Sequence, residues 1–220
     1  MGLYTTMLTI EKIQLSENQL TLLHQDEVVE IEASWDEFLD FKEETDYPII
    51  YQNGKIIVMG KAKYVHEWLV MNVARLLSAI FWGKGFDMLG SNIGISIAGK
   101  KGYYNSDVTV VKGRPMFVEG DQTLISNPYL LVEVISASTA MVDFSAKSPQ
   151  YRKLESLHYL VFVNPFKQAV HVLTPTEDRQ VWQERIYDQP TDQVMIDGFS
   201  ITVNDIFENM PILDEKGDVL

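Results

Sequence analysis

The 220 residues carry 18 Lys and Arg against 31 Asp and Glu, a formal net charge of −13, with no cysteine and 46% hydrophobic residues. This balance excludes a protein that coats nucleic acid through nonspecific charge, and the missing thiols exclude disulfides, thiolate metal sites and a cysteine nucleophile. No apolar run reaches the ~20 residues that a transmembrane helix needs, and the length suits one domain with an ample core.

The N-terminal MGLYTTMLTIEKIQL lacks a basic n-region and a small-residue cleavage site, so a cytoplasmic protein is expected. The four histidines, His24, His66, His158 and His171, show no H-x-x-x-H spacing, which argues against a histidine-rich zinc site. Charge is unevenly spread: residues 1–54 sum to −10, 55–114 to +6 and 115–220 to −9. The middle stretch, with Lys61, Lys63, Lys84, Lys100, Lys101, Lys112 and Arg114, forms either a local basic surface or an ordinary solvated face.

In chain order, residues 1–17 read as peripheral. Gln19 to Ile31 holds two apolar patches, TLL and VVEI, a pattern that suits a hairpin or two edge strands. Ser34 followed by Glu37 is a capping box and predicts a short helix from Trp35 to about Glu43. Asn53-Gly54 between the apolar runs Ile49–Tyr51 and Lys55–Met59 is a hairpin signal, since both positions tolerate positive φ. Tyr64 to Trp82 repeats Val65, Leu69, Val73, Leu76, Leu77 and Ile80 at helical spacing, and Gly83-Lys84-Gly85 ends it. Short strands are expected at Phe86–Leu89, Ile93–Ile97 and Val108–Val111. Later strands are expected at Tyr159–Val163, Ala169–Leu173 and Arg179–Ile186, with a final helix at Asn204–Asn209.

The stretch Tyr129–Leu154 is chemically the most informative. An apolar run, Tyr129–Ile135, carries Glu133 at its centre, and an ionised carboxylate in a core strand is costly unless compensated. A helix is expected from Ser145, with Pro149 tolerated in its first turn and Lys147, Tyr151 and Leu154 on its inward face. A cation in a first helical turn opposes the helix dipole. Two readings are open: a functional pair, or Glu133 on the solvent side of an edge strand with Lys147 in water. Asp107 heads the run Val108–Val111 after a polar turn, Gly102–Ser106. If the two strands are neighbours, Asp107 and Glu133 project toward one point, where two carboxylates repel unless a cation intervenes. Mg²⁺ or Mn²⁺ suits such oxygen ligands, and a lysine there can orient or deprotonate a water, or stabilise developing negative charge. The plainer alternative is that Asp107 caps a strand.

The order Asp107, Glu133 within LVEVIS, the Ser136–Thr139 turn and Asp143-x-x-x-Lys147-x-x-x-Tyr151 resembles the Uma-type "putative restriction endonuclease" family of the PD-(D/E)XK nuclease superfamily. The resemblance runs from Ser34 to about Leu173 and includes the Trp35 helix, the Asn53-Gly54 hairpin, His66 and HYLVFVNP. It implies an α+β, restriction-endonuclease-like core: a mixed central β-sheet flanked by helices, with an N-terminal β-hairpin/helix extension. The implied division is 1–33 extension, 34–210 nuclease domain and 211–220 tail. The implied activity is Mg²⁺- or Mn²⁺-dependent cleavage of DNA by a homodimer without membrane attachment. Asp107, Glu133 and the Val134 carbonyl would be metal ligands and Lys147 the catalytic lysine, displaced to the helix from the usual place two residues after the acid, where Ile135 stands. Glu67, His66 and Tyr151 would be accessory groups, and Lys61, Lys63, Lys100 and Lys101 phosphate contacts. Ser106 and Ala137 stand where prolines are usual, and Asn53 where an aspartate is frequent.

Two other classes stay open: a non-cleaving nucleic-acid-binding or regulatory module that kept the fold, and a dimerisation domain holding a buried Glu133–Lys147 ion pair. No G-x-x-x-x-G-K-[ST] or G-x-S-x-G motif is present.

Overall fold

Two serines start the N-terminal layer. Ser16 accepts the Gln19 amide while the Gln19 side chain returns to the Ser16 amide, and this box opens α1 (Glu17–His24). The hairpin expected over Gln19–Ile31 is therefore incorrect in its first half: Thr21, Leu22 and Leu23 are helical, with Leu23 turned into the core. Only VVEI is extended, as β1 (Val29–Glu32). The Ser34–Glu37 box opens α2 (Trp35–Glu44), and β2 (Ile49–Gln52) and β3 (Lys55–Val58) flank Asn53 and Gly54, both at positive φ. β1 joins the far side of β3, giving the order β1-β3-β2. Phe38 fills the centre of this layer against the rings of Trp35, Tyr51 and Tyr103.

The computed structural model describes residues 12–97, 102–136, 139–214 and 219–220. The long helix is α3 (Tyr64–Phe81), which buries Val65, Leu69, Val73, Leu77 and Ile80, the expected stripe. β4 (Phe86–Gly90), β5 (Gly94–Ile95), β6 (Tyr104–Asn105), β7 (Val108–Lys112), β8 (Phe117–Val118), β9 (Asp121–Ile125) and β10 (Leu130–Val134) follow. β5 is shorter than expected, and the supposed polar turn Gly102–Ser106 contains β6, because the rings of Tyr103 and Tyr104 are core material. Helical backbone then starts at Ala140, passes through a π-helical turn (Val142–Lys147) and continues as α4 (Ser148–Tyr151). The chain closes with β11 (Tyr159–Asn164), β12 (Ala169–Pro175), β13 (Trp182–Tyr187), β14 (Gln193–Ile196), β15 (Phe199–Thr202) and α5 (Val203–Phe207). Arg179 lies in a turn at positive φ, so the strand expected from that residue begins only at Trp182.

The main sheet has the order β13-β12-β11-β10-β7-β4. β10 and β11 run parallel and the other neighbours antiparallel, so the sheet is mixed and the class α+β. Along β10 the side chains alternate, as period-2 geometry requires. Leu130, Val132 and Val134 pack in the cluster of α3 and α5, whereas Leu131 and Ile135 pack with Tyr151, Leu154 and Leu157. Glu133 belongs to this second face and is 1% exposed. β10 is thus a central strand, and the edge-strand, solvent-facing alternative for Glu133 is ruled out. Among the described residues no helix is long and apolar enough to cross a membrane.

Because Phe38 is fully buried and touches three aromatic rings, Phe38→Ala is expected to lower stability by about 3–5 kcal/mol, measured by urea unfolding.

Candidate active site

The register of β7 on β10 pairs Val108 with Val132, which sets Asp107 across from Glu133. The Asp107 amide donates to the Val132 carbonyl (3.0 Å), and its Oδ2 accepts the Val134 amide (2.6 Å). Asp107 therefore does cap a strand end. The same oxygen lies 3.3 Å from His66 Nε2, delivered by the first turn of α3. Ser106, where a proline was the expectation, is buried with its Oγ 2.7 Å from Thr109 Oγ1. That hydroxyl contact holds the bend before β7 in the absence of a ring.

Lys147 sits at the last turn of the π segment, with four more helical residues beyond it. The expectation of a first-turn cation is thus incorrect, and the conflict with the helix dipole disappears. The Ser148 amide donates to the Asp143 carbonyl five residues back, and Pro149, next in the chain, has no amide with which to restore the tighter pattern. Lys147 Nζ lies 3.0 Å from Glu133 Oε2 and 2.9 Å from Asp143 Oδ1. The Tyr151 hydroxyl reaches Glu133 Oε1 (2.9 Å) and the Asn105 carbonyl (3.0 Å). Asp143 is buried, and its Oδ2 accepts the Thr139 hydroxyl (2.9 Å). Asp143 received no role from the sequence reading. Its position four residues before Lys147 was the available signal, since such pairs share a helix face.

Two carboxylates thus touch one ammonium, and Asp107 adds to the same field. Burial pushes the Glu133 carboxyl well above the usual range; Lys147 pulls it down, while Asp143 and Asp107 push it further up. Burial alone would depress Lys147, but Asp143, Glu133 and Asp107 outweigh that and hold its ammonium above its ordinary value. The Tyr151 hydroxyl is pushed up by burial and by the neighbouring Glu133. Burial also opposes ionisation of Asp107, yet His66, Lys147 and the Val134 amide together keep its carboxyl below the usual range. His66 is raised: burial disfavours its cation, and Asp107 more than offsets this.

These groups form the floor of a cleft of about 490 Å³ lined by Asp107, Glu133, Asp143, Lys147 and His66. Glu67 also lines it, mostly exposed and 3.6 Å from His66 Nδ1. Lys61 and Lys63 also line the cleft, Lys61 over the Tyr47 ring and Lys63 paired with Asp26 at 2.8 Å. Lys100 and Lys101 lie outside the described residues. Among the described residues no group of three or more His, Asp or Glu side chains is spaced to hold a metal ion; the available donor set is the facing pair Asp107 and Glu133.

The model of the family described as "Uma2: Putative restriction endonuclease" matches residues 35–204. The chain belongs to this family. An uncharacterized protein of Synechocystis sp., sll1609, is 28% identical over 144 residues, spanning 66% of this chain and 81% of that protein. A crystal structure described as a "putative nuclease belonging to DUF820" from Anabaena variabilis superposes with a TM-score of 0.66 at 16% identity. The superposition covers 79% of this chain and 97% of that one, and it shows the shared fold. The match begins at Trp35 and extends beyond the Leu173 limit of the resemblance seen in sequence, taking in β13, β14 and β15 of the family member described here.

Removing the cation from a buried cluster leaves uncompensated charge. Lys147→Met is expected to cost about 3–5 kcal/mol in urea unfolding. The His66–Asp107 pair carries its own pH signature. A raised imidazole stabilises the fold fully below its ordinary 6.5 and loses that gain as pH rises through the raised value. A lowered carboxyl stabilises above its ordinary 3.8 and loses the gain as pH falls through the lowered value. The destabilisation caused by His66→Gln should therefore be greatest between 3.8 and 6.5 and shrink as pH rises through the raised His66 value, as read from unfolding curves across pH.

Proposed function

We propose that the chain is a Mg²⁺- or Mn²⁺-dependent endonuclease that hydrolyses DNA phosphodiester bonds. The observation that carries the reading is the meeting of Asp107 and Glu133 across β7 and β10, with the Lys147 ammonium 3.0 Å from Glu133, on the floor of an open cleft. Two further points support it. The carboxyls of Asp107, Glu133 and Asp143 stand beside one lysine and one imidazole, so with all three ionised the cluster accommodates added positive charge. A Mg²⁺ site needs only one or two carboxylates and keeps several waters, which fits this donor pair.

Asp107 and Glu133, with the Val134 carbonyl, would hold the ion. The Val134 amide and the His66 imidazole both meet Asp107 at Oδ2, so Oδ1 would be the oxygen that takes the ion. When bound, the metal supplies Lewis acidity toward a phosphoryl oxygen and lowers the pKa of a coordinated water. His66 and the Val134 amide fix the Asp107 carboxylate, and Tyr151 fixes that of Glu133. Lys147, held charged by Asp143, orients the attacking water or neutralises the charge that builds on the phosphate. Lys61 and Lys63, which also line the cleft, would meet the backbone.

One observation favours a second reading, a nucleic-acid-binding module without cleavage: both Glu133 oxygens are already engaged, one by Lys147 and one by Tyr151.

The test is cleavage of supercoiled plasmid and single-stranded DNA with Mg²⁺ or Mn²⁺ by wild type, Asp107→Asn and Glu133→Gln. These near-isosteric changes keep the buried volume. Metal-dependent cutting by wild type, reduced at least about 100-fold in both variants, is the expected result. Nucleic-acid binding with neither calorimetric Mn²⁺ binding nor cutting would select the second reading, and failure to bind nucleic acid as well would sink both. Because burial raises the Glu133 carboxyl and a ligating carboxyl must be ionised, Mn²⁺ affinity is expected to rise as pH rises through that raised value, by up to about tenfold per unit for one released proton.

A further inference from the structure

The walls of the cleft differ from its floor. Glu133 and Lys147 are 1% and 6% exposed, and the Asp107 side chain is 18% exposed. A phosphate reaches these groups only by coming inside the cleft. The cavity, about 490 Å³, is in the range that encloses a compact ligand, not the broad basic surface on which a duplex lies.

The cations of the walls are few and already engaged. Besides Lys147, those lining the cleft among the described residues are Lys42, Lys61 and Lys63. Lys42 bonds Thr123 and lies 3.9 Å from Asp121, Lys63 pairs with Asp26, and Lys61 lies over the Tyr47 ring. A duplex-binding protein gains its affinity by neutralising many phosphates, which these three lysines on a chain of net charge −13 do not provide.

Besides the buried Tyr103, the same walls carry two aromatic rings. Tyr47, half-buried, enters from the segment between α2 and β2, with Lys61 Nζ 5.4 Å from its ring centre. Phe166, 42% exposed, enters from the turn after β11. That turn is fixed by Asn164 Oδ1, which accepts the amides of Phe166 (3.0 Å) and Lys167 (3.2 Å). A single exposed ring needs no explanation, but here two line the same cleft as the carboxylate pair. Base stacking on aromatic rings is the recurring means of holding single strands, and it works without a dense cationic surface.

We infer that the cleft takes single-stranded nucleic acid, a free strand or an unpaired end, whose bases stack on Tyr47 and Phe166 while its backbone enters toward Asp107 and Glu133. The inference rests on the nuclease reading and names its substrate class. The test is fluorescence anisotropy with the Asp107→Asn chain, using a labelled single-stranded dT 12-mer, the matching RNA strand and a blunt DNA duplex at two salt concentrations. Single strand should bind at least about tenfold more tightly than duplex, with a salt slope of magnitude about 2 or less. Tyr47→Leu and Phe166→Leu, which keep apolar volume but remove the ring, should each weaken single-strand binding roughly five- to 150-fold, the worth of one stacked base. Duplex binding that is equal or tighter, absence of binding to every probe, or indifference to both substitutions would overturn the inference. Any of those results beside metal-dependent plasmid cutting by wild type would remove the substrate class and leave the nuclease. Ring-dependent single-strand binding with no cutting under any metal would remove the nuclease and leave the cleft's ligand.

Discussion

The site depends on one ammonium shared by two buried carboxylates. Lys147 bridges Glu133 of the central strand and Asp143 of its own helical segment at 3.0 and 2.9 Å, with Asp107 adding to the same field. Bringing such charges out of water costs several kcal/mol per ion, and apolar replacements of equal volume are often neutral or stabilising. A sheet that needed only cohesion would carry a leucine at position 133, as it does at 131 on the same face. The cluster bears that cost visibly in the raised Glu133 carboxyl. It is better understood as a site prepared for added positive charge than as a device for stability.

The surrounding structure serves to make that arrangement tolerable. Asp107 is held by a main-chain amide and an imidazole, and Glu133 by Lys147 and a phenol. Tyr151 in turn anchors on the Asn105 carbonyl, so the segment before β7 and the helix after β10 are tied together at the acid. Asp143, Lys147 and Tyr151 are spaced four apart, and all three reach the cluster across the join between the π turn and α4. π turns of this kind concentrate at functional sites, and here the widened turn is where the cation and its acidic partner both enter the interior.

The features visible in the sequence were those governed by local chemistry. The Ser34–Glu37 box, the Asn53-Gly54 turn and the apolar stripe of α3 each state their structure within a few residues. Features set by tertiary context were hidden. Tyr103 and Tyr104 look like turn residues until Phe38 and Tyr151 are placed against them. The helix before Lys147 starts at Ala140 and not at Ser145, although Pro149 suits a first turn that begins there. Other signals were present but unused: Ser16 with Gln19 marks α1, and Asp197-Gly198, both at positive φ, marks the β14–β15 hairpin. Asp107 and Glu133 could be paired from sequence only on the condition that their strands were neighbours, and the β7–β10 register supplies that condition.

The N-terminal layer is bound into the site. Gly60 shows how closely: a Cβ there would meet the Leu23 carbonyl at 3.0 Å, so the chain leaving β3 passes tightly over α1 on its way to α3 and His66. That passage places Met59, Gly60, Lys61 and Lys63 along one wall of the cleft, facing the carboxylates that β7 and β10 bring to its floor. The acidic excess of the first 54 residues then has a local consequence. Asp26 pairs with Lys63, so the wall presents cations already tied to acids of the same layer. Charge of that kind orients a phosphate that has entered but attracts little from a distance. Affinity must come from contacts inside the cleft, where shape and ring faces outweigh long-range attraction.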